Sequence, residues 1–273
     1  MRKRSYFLFV AGALAVCGSA NAQLSDEFNL PRANCCLVNT AKSLAEQLQD
    51  WNQLGRYHDA NLELKKLPGD AKRVIFLGDS ITDNWKLEES FPDKPYVNRG
   101  ISGQTTPQML VRMYPDVIDL KPAAMILLAG INDVSRNTGP STAEMIEDNI
   151  MAMTELAQHH GIKVILCSLL PISDYPFLRK QSGGSQFLPL PGLRIPVMQM
   201  TAEHPPTDIL KLNAWIRDYA GRVNAIYADY FAALVDGKGW LKDSYSIDGL
   251  HPNAEGYTVM APIAAAAIQK AIQ

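Results

Sequence analysis

Four short stretches hold residue types that could do nucleophilic chemistry together. "VIFLGDSITDNW" runs from an apolar segment into Gly-Asp-Ser and presents Ser80 where a polar turn opens. A serine hydroxyl is a weak nucleophile. It needs a base in contact, an orienting group behind that base and donors for the oxyanion. "SIDGLHPNAEGY" places Asp248 three residues before His251. On a tight turn that spacing lets the carboxylate reach the imidazole Nδ1 and leaves Nε2 to face a serine. "NRGISGQTT" sets Gly103 in a loop ahead of a helix, where outward backbone N–H groups favour an anion. "LAGINDV" offers the side-chain amide of Asn132. Each stretch also has a plain structural reading, since Gly, Asp, Asn and Ser are ordinary turn residues and a solvated histidine at a helix start is commonplace. The residues count as a constellation only if one fold gathers them.

The elements that must do so can be read from the pattern. "RVIFLG", "YVNRG" at 96–100, "AMILLAG" at 124–130, "KVILCSLL" at 163–170 and "AIYADY" at 225–230 are short apolar runs of strand length. Helix-like stretches at 105–119, 141–160, 208–221 and 254–271 lie between or after them. Strand–helix alternation with continuously apolar strands predicts a parallel sheet covered on both faces. Ser80, Gly103 and Asn132 then follow three strands, and His251 precedes the last helix, so one sheet edge can collect all of them. Residues 40–66 read as a helix with Leu44, Leu48, Trp51, Leu54 and Tyr57 along one apolar face. Residues 173–207, rich in Pro and Gly, exclude a long helix and follow the fourth strand. That places an unusually long loop at the carboxyl edge, where α/β sheets hold ligands.

Composition narrows the classes. At 273 residues and 47% hydrophobic the chain can bury a sizeable core, and a net charge of −2 gives no pull toward nucleic acid or anionic lipid. The first residues combine Arg2–Arg4, an apolar run to about Cys17 and an Ala20-x-Ala22 site, the three-part layout of a secretory signal peptide. The expected layout is a signal peptide at 1–22, an N-terminal helical extension at 23–70 and the main domain at 71–273, in a protein exported to the periplasm or beyond. Cys35, Cys36 and Cys167 form no disulfide or zinc pattern, and Cys167 reads as a buried apolar residue. No Gly-x-Gly-x-x-Gly or Walker loop follows the first strand, and Thr82 breaks the Gly-x-Ser-x-Gly elbow of α/β-hydrolases.

Gly78-Asp79-Ser80-Ile81, Gly100 to Gly103, Gly130-Ile131-Asn132-Asp133 and Asp248 to His251 fall in an order that resembles the SGNH (GDSL-type) hydrolases, from about Val74 to the C-terminus. "GISGQTT", "LKP", "GIND", "LLP" and "DGLHPN" are most similar to platelet-activating-factor-acetylhydrolase-like esterases. Ile81 stands where leucine is commoner. The resemblance implies a flavodoxin-like, three-layer αβα sandwich around a five-stranded parallel sheet. It implies a serine esterase that works without metal or cofactor on a small-molecule, lipid or carbohydrate ester. Carried over, Ser80 is the nucleophile, His251 its base and Asp248 the orienter. The backbone N–H groups of Ser80 and Gly103 and the side chain of Asn132 form the oxyanion hole. A thioesterase, lysophospholipase or carbohydrate deacetylase would use the same residues, and a secreted binding domain could keep the fold.

Overall fold

The computed structural model describes residues 48–67, 72–190 and 195–273. The signal-peptide region, Cys35 and Cys36 lie outside the described residues. Five strands form one parallel sheet: β1 (Val74–Gly78), β2 (Tyr96–Gly100), β3 (Ala124–Leu128), β4 (Lys163–Cys167) and β5 (Ile226–Ala228). Their spatial order is β2-β1-β3-β4-β5. Every residue of β1 and β3 is buried, as strands covered on both faces require. Cys167 ends β4 as a buried free thiol, which burial pushes up to about 12.

The principal helices are α1 (His58–Lys66), α2 (Thr106–Val111), α3 (Ala143–His159), α4 (Pro206–Arg222) and α5 (Ala254–Ile272). Helix α3 buries Ile146, Ile150, Met153 and Ala157, a stripe at helical spacing, and pairs with α4 against β4. Alanine-rich α5 lies along β3, β4 and β5 and buries Met260, Ala264 and Ile268. The result is a three-layer αβα sandwich.

Strand order and register decide where the site lies. The chain leaves β1 toward β2 on one side, then crosses to β3 on the other. The crevice at such a switch point, outside the carboxyl ends, is where these sheets hold ligands. Gly78 pairs level with Gly100 of β2 and with Leu128 of β3. Ser80, Gly103 and Asn132 therefore follow strand ends that stop at the same height.

Two expected helices differ. Among the described residues the 40–66 helix is interrupted: Leu48 and Gln49 are helical, turns follow, and helix resumes as α1; residues 40–47 lie outside the described ones. The Asp50 carboxylate accepts from the Leu54 and Gly55 amides at 2.8 Å each, taking donors a helix would use. Gln53 adopts a left-handed φ of 56°. Leu48, Trp51 and Leu54 are exposed, and the side chain α1 turns inward is Asn61. The 105–119 stretch is broken into α2, a turn at Met113–Asp116 and a 3₁₀ turn at Ile118–Leu120. Pro115 supplies no N–H to continue a helix from α2. Within 173–207 lie two short helices, Tyr175–Gln181 and Met200–Glu203.

Candidate active site

Ser80 opens a single helical turn, Ser80–Asp83, directly after β1. Asp79 caps that turn, its carboxylate accepting from the Ile81 amide at 3.0 Å. The turn folds back over the strand ends. A Cβ on Gly100 would lie 2.1 Å from the Asp83 nitrogen, so only glycine lets β2 end there. Asn98 of β2 fastens the turn by donating to the carbonyls of Thr82 and Trp85 at 2.6 and 3.0 Å. Tyr257 of α5 donates to the Ile81 carbonyl at 2.8 Å.

Asp248 and His251 sit on one tight turn ahead of α5. Asp248 Oδ1 accepts from the amides of Leu250 and His251, at 2.9 and 2.8 Å, and from Ser246 Oγ at 3.1 Å. Its other oxygen, Oδ2, lies 2.6 Å from His251 Nδ1. His251 Nε2 lies 2.9 Å from Ser80 Oγ. Serine, imidazole and carboxylate thus form one continuous chain. Asn253 then caps α5, accepting from the Gly256 amide at 3.0 Å, which stops the helix just past the imidazole. Gly249 has φ +89°, and a Cβ there would meet the Ser173 carbonyl at 2.1 Å. The loop after β4 is in this way clamped under the turn, with the Ser173 amide donating to the Gly249 carbonyl at 2.9 Å.

Gly103 and Asn132 follow β2 and β3, the strands that flank β1. Asn132 is buried and donates to the Gln104 carbonyl at 3.0 Å, joining the loops after β2 and β3. The Ser102 hydroxyl and amide donate to Asp83 at 2.7 and 3.1 Å, joining the β2 loop to the serine's turn.

The electrostatics follow from burial and pairing. Burial alone would raise the Asp248 carboxyl, but the His251 bond and charge and two backbone amides bring it down to about 2. Burial lowers His251, and Asp248 with the charge of Asp79 more than reverses this, so the imidazole titrates above its usual 6.5. Asp79 is fully buried, and loss of solvation raises its carboxyl to about 7 against the Ile81 amide and His251. Among the described residues, no group of three or more His, Cys, Asp or Glu is placed to hold a metal ion.

The family model for GDSL-like lipases and acylhydrolases matches residues 76–259. The chain belongs to this family. A protein of Bacteroides fragilis assigned to the acylhydrolases is 36% identical, with a TM-score of 0.69 over 82% of this chain and 99% of its own. A GDSL-like lipase of Bacteroides thetaiotaomicron is 35% identical, with a TM-score of 0.67 over 81% of this chain and 98% of its own. An acetylxylan esterase of Xylanibacter ruminicola is 26% identical over 259 residues, 78% of this chain and 48% of its own. The chain spans about half the length of the curated relatives it matches.

In this GDSL-like chain, several residues that support the site were not singled out from sequence. Asp133 is buried and accepts from the Thr106 amide and hydroxyl, at 2.9 and 2.6 Å, pinning the start of α2 to the Asn132 turn. Arg112 is fully buried. It donates to the Gly78 carbonyl at 3.0 Å, to Gln104 Oε1 at 2.6 Å and to Asp116 at 2.9 Å. Gln104 Nε2 in turn donates to the Asn52 carbonyl at 2.9 Å. Asn61 of α1 bridges Asp116 at 2.6 Å and Arg99 at 2.7 Å. The Tyr57 hydroxyl donates to the Gly100 carbonyl. The segment ahead of β1 is thereby bonded to the end of β2 and to the loop that follows it. The i,i+4 spacing of Arg112 and Asp116 was a visible signal; the partners of Gln104 and Asn61 left none.

Proposed function

We propose that this chain hydrolyses carboxylic esters by acyl transfer to Ser80. The observation that carries the reading is the 2.9 Å contact of Ser80 Oγ with His251 Nε2, with Asp248 at 2.6 Å on the opposite ring nitrogen. Ser80 Oγ attacks the ester carbonyl while its proton passes to His251 Nε2. Asp248 holds the tautomer and stabilises the imidazolium. Negative charge on the carbonyl oxygen is met by the N–H groups of Ser80 and Gly103 and the amide of Asn132. Collapse expels the alcohol, which takes the proton from His251 and leaves an acyl-serine. Water, deprotonated by the same imidazole, releases the acid and restores Ser80.

The substrate reading is an O-acyl ester of a small molecule, lipid or carbohydrate. The likeness to an acetylxylan esterase over 78% of this chain favours short acyl groups on carbohydrate as the second, narrower reading. The layout proposed with it is an exported protein: a signal peptide at 1–22, supported by Arg2–Arg4 and Ala20-x-Ala22, and a hydrolase domain at 71–273. No helix among the described residues is long and apolar enough to cross a membrane.

Labelling with a fluorophosphonate tests the central claim. Mass spectrometry should find the adduct on Ser80, and Ser80→Ala should abolish both adduct and hydrolysis of p-nitrophenyl acetate. A wild-type protein that neither labels nor hydrolyses simple esters would instead be a binding domain of this fold.

A further inference from the structure

An oxyanion donor such as Asn132 works only if its amide points the right way. The nitrogen and oxygen of an asparagine side chain are nearly the same size, so shape does not choose between them; hydrogen-bond partners do. The Gln104 carbonyl, 3.0 Å from Asn132 Nδ2, accepts one of its two amide hydrogens and leaves the other for substrate. Asn132 Oδ1 needs a donor, and Asn137 provides it: Asn137 Nδ2 donates to Asn132 Oδ1 at 2.9 Å. The same Nδ2 lies 3.3 Å from the Gly103 carbonyl, in the loop that offers the second oxyanion N–H.

The orientation of Asn137 is itself set. Its Oδ1 accepts from Ser135 Oγ at 2.9 Å, which turns Nδ2 toward Asn132 and Gly103. Its backbone amide donates to the Asn132 carbonyl at 3.0 Å. Arg136, with a left-handed φ of 61°, makes the bend that brings residue 137 back over the Asn132 turn. Thr138 adds a hydroxyl contact to Thr105 at 2.8 Å, fastening the same bend to the β2 loop. Asn137 is exposed, so its bonds do not serve to fill the core.

We propose that Asn137 is a positioning residue of the oxyanion hole, fixing the Asn132 amide with its nitrogen toward the substrate oxygen and holding the Gly103 peptide beside it. The inference rests on the acyl-transfer reading above and deepens it. Because Asn137 acts through Asn132, removing it should weaken transition-state stabilisation more than ground-state binding.

A double-mutant cycle with p-nitrophenyl acetate tests this. Asn137→Ala should lower kcat about 10-fold to 30-fold with KM within about twofold, a fraction of the 10²–10³ expected for losing a whole donor. Asn137→Asp keeps the shape but sets a carboxylate against Asn132 Oδ1, and its kcat should fall further than that of Asn137→Ala. In an Asn132→Ala background, Asn137→Ala should cost no more than about threefold, the residue left being its hold on Gly103. Fluorophosphonate should still label every variant to completion on Ser80, only more slowly. Wild-type kcat in both Asn137 variants, a change confined to KM, or losses that simply multiply with Asn132→Ala would each overturn the proposal. Either Asn137 variant suffices if the other does not fold. Failure of the wild type to label or turn over would instead sink the acyl-transfer reading.

Discussion

Asp248 and His251 share one turn, whereas Gly103 and Asn132 come from loops after different strands, and the two halves of the site are held by different kinds of bond. In the first half the Asp248 carboxylate takes the amides of Leu250 and His251 and the Ser246 hydroxyl, all within six positions of chain. Its geometry follows from a local turn. In the second half Asn132 meets Gln104, Asp133 meets Thr106, and Gln104 meets both Arg112 and Asn52. Those bonds join three strand ends and the segment ahead of β1, so they exist only when the sheet is in register. The proposed acid–base half is a local device; the proposed oxyanion half is a property of the whole carboxyl edge. Damage to one should leave a kinetic signature that damage to the other does not.

Ser80 belongs to both halves, so its loss is the largest expected effect. Ser80→Ala should reduce kcat by about 10⁶, the scale for removing the nucleophile of such a triad, without unfolding the protein. Wild-type turnover in that variant would break the comparison at its root.

Asp248→Asn comes next, with kcat falling by about 10⁴. It should also move the acid limb of kcat/KM. His251 must be neutral to accept the serine proton, and its pKa is raised, so wild-type activity should fall as pH drops through a value above 6.5. Replacing the carboxylate removes the Asp248 bond and charge and leaves burial, which lowers it, opposed only by the charge of Asp79. The limb should therefore shift to lower pH. A limb that stays put would mean Asp248 does not tune His251.

Asn132→Ala should cost about 10²–10³ in kcat and leave the acid limb where the wild type has it. A shifted limb here would show that the two halves are coupled rather than separately built.

The smallest effect concerns the 173–207 loop. Its first half is clamped to the acid–base half, through Ser173 with Gly249 and an Arg179–Asp243 ion pair at 2.6 Å. Leu188 and Val197 are buried, while Leu178, Phe187, Ile195 and Met198 stay exposed. If these side chains receive an acyl chain, each methylene gains up to about 0.8 kcal/mol, roughly fourfold in kcat/KM. Replacing 187–197 with a Gly/Ser linker should flatten the acetate-to-octanoate profile while Ser80 still labels. An unchanged profile in a folded variant would remove the loop from substrate choice.

What sequence alone determined follows from short-range geometry. Continuously apolar runs marked the three central strands β1, β3 and β4, because a strand buried on both faces has no polar side to alternate with. The Asp248–His251 spacing marked a turn whose bonds are local. The placement of Ser80, Gly103 and Asn132 at strand ends was legible too, since the strands could be counted. Tertiary structure decided the rest. Apolar spacing alone gave a helix over 40–66, yet the Asp50 carboxylate takes the amides and α1 buries Asn61 against Asp116 and Arg99. Nothing near Asn61 in the chain signals those partners. The orientation of the Asn132 amide is the sharpest case. It depends on Gln104 from another loop and on Asn137 after a left-handed bend. The Gln104 bond spans 28 positions of chain and leaves no period in the sequence, and the Asn137 bond, though it spans only five, needs the left-handed bend at Arg136 to form.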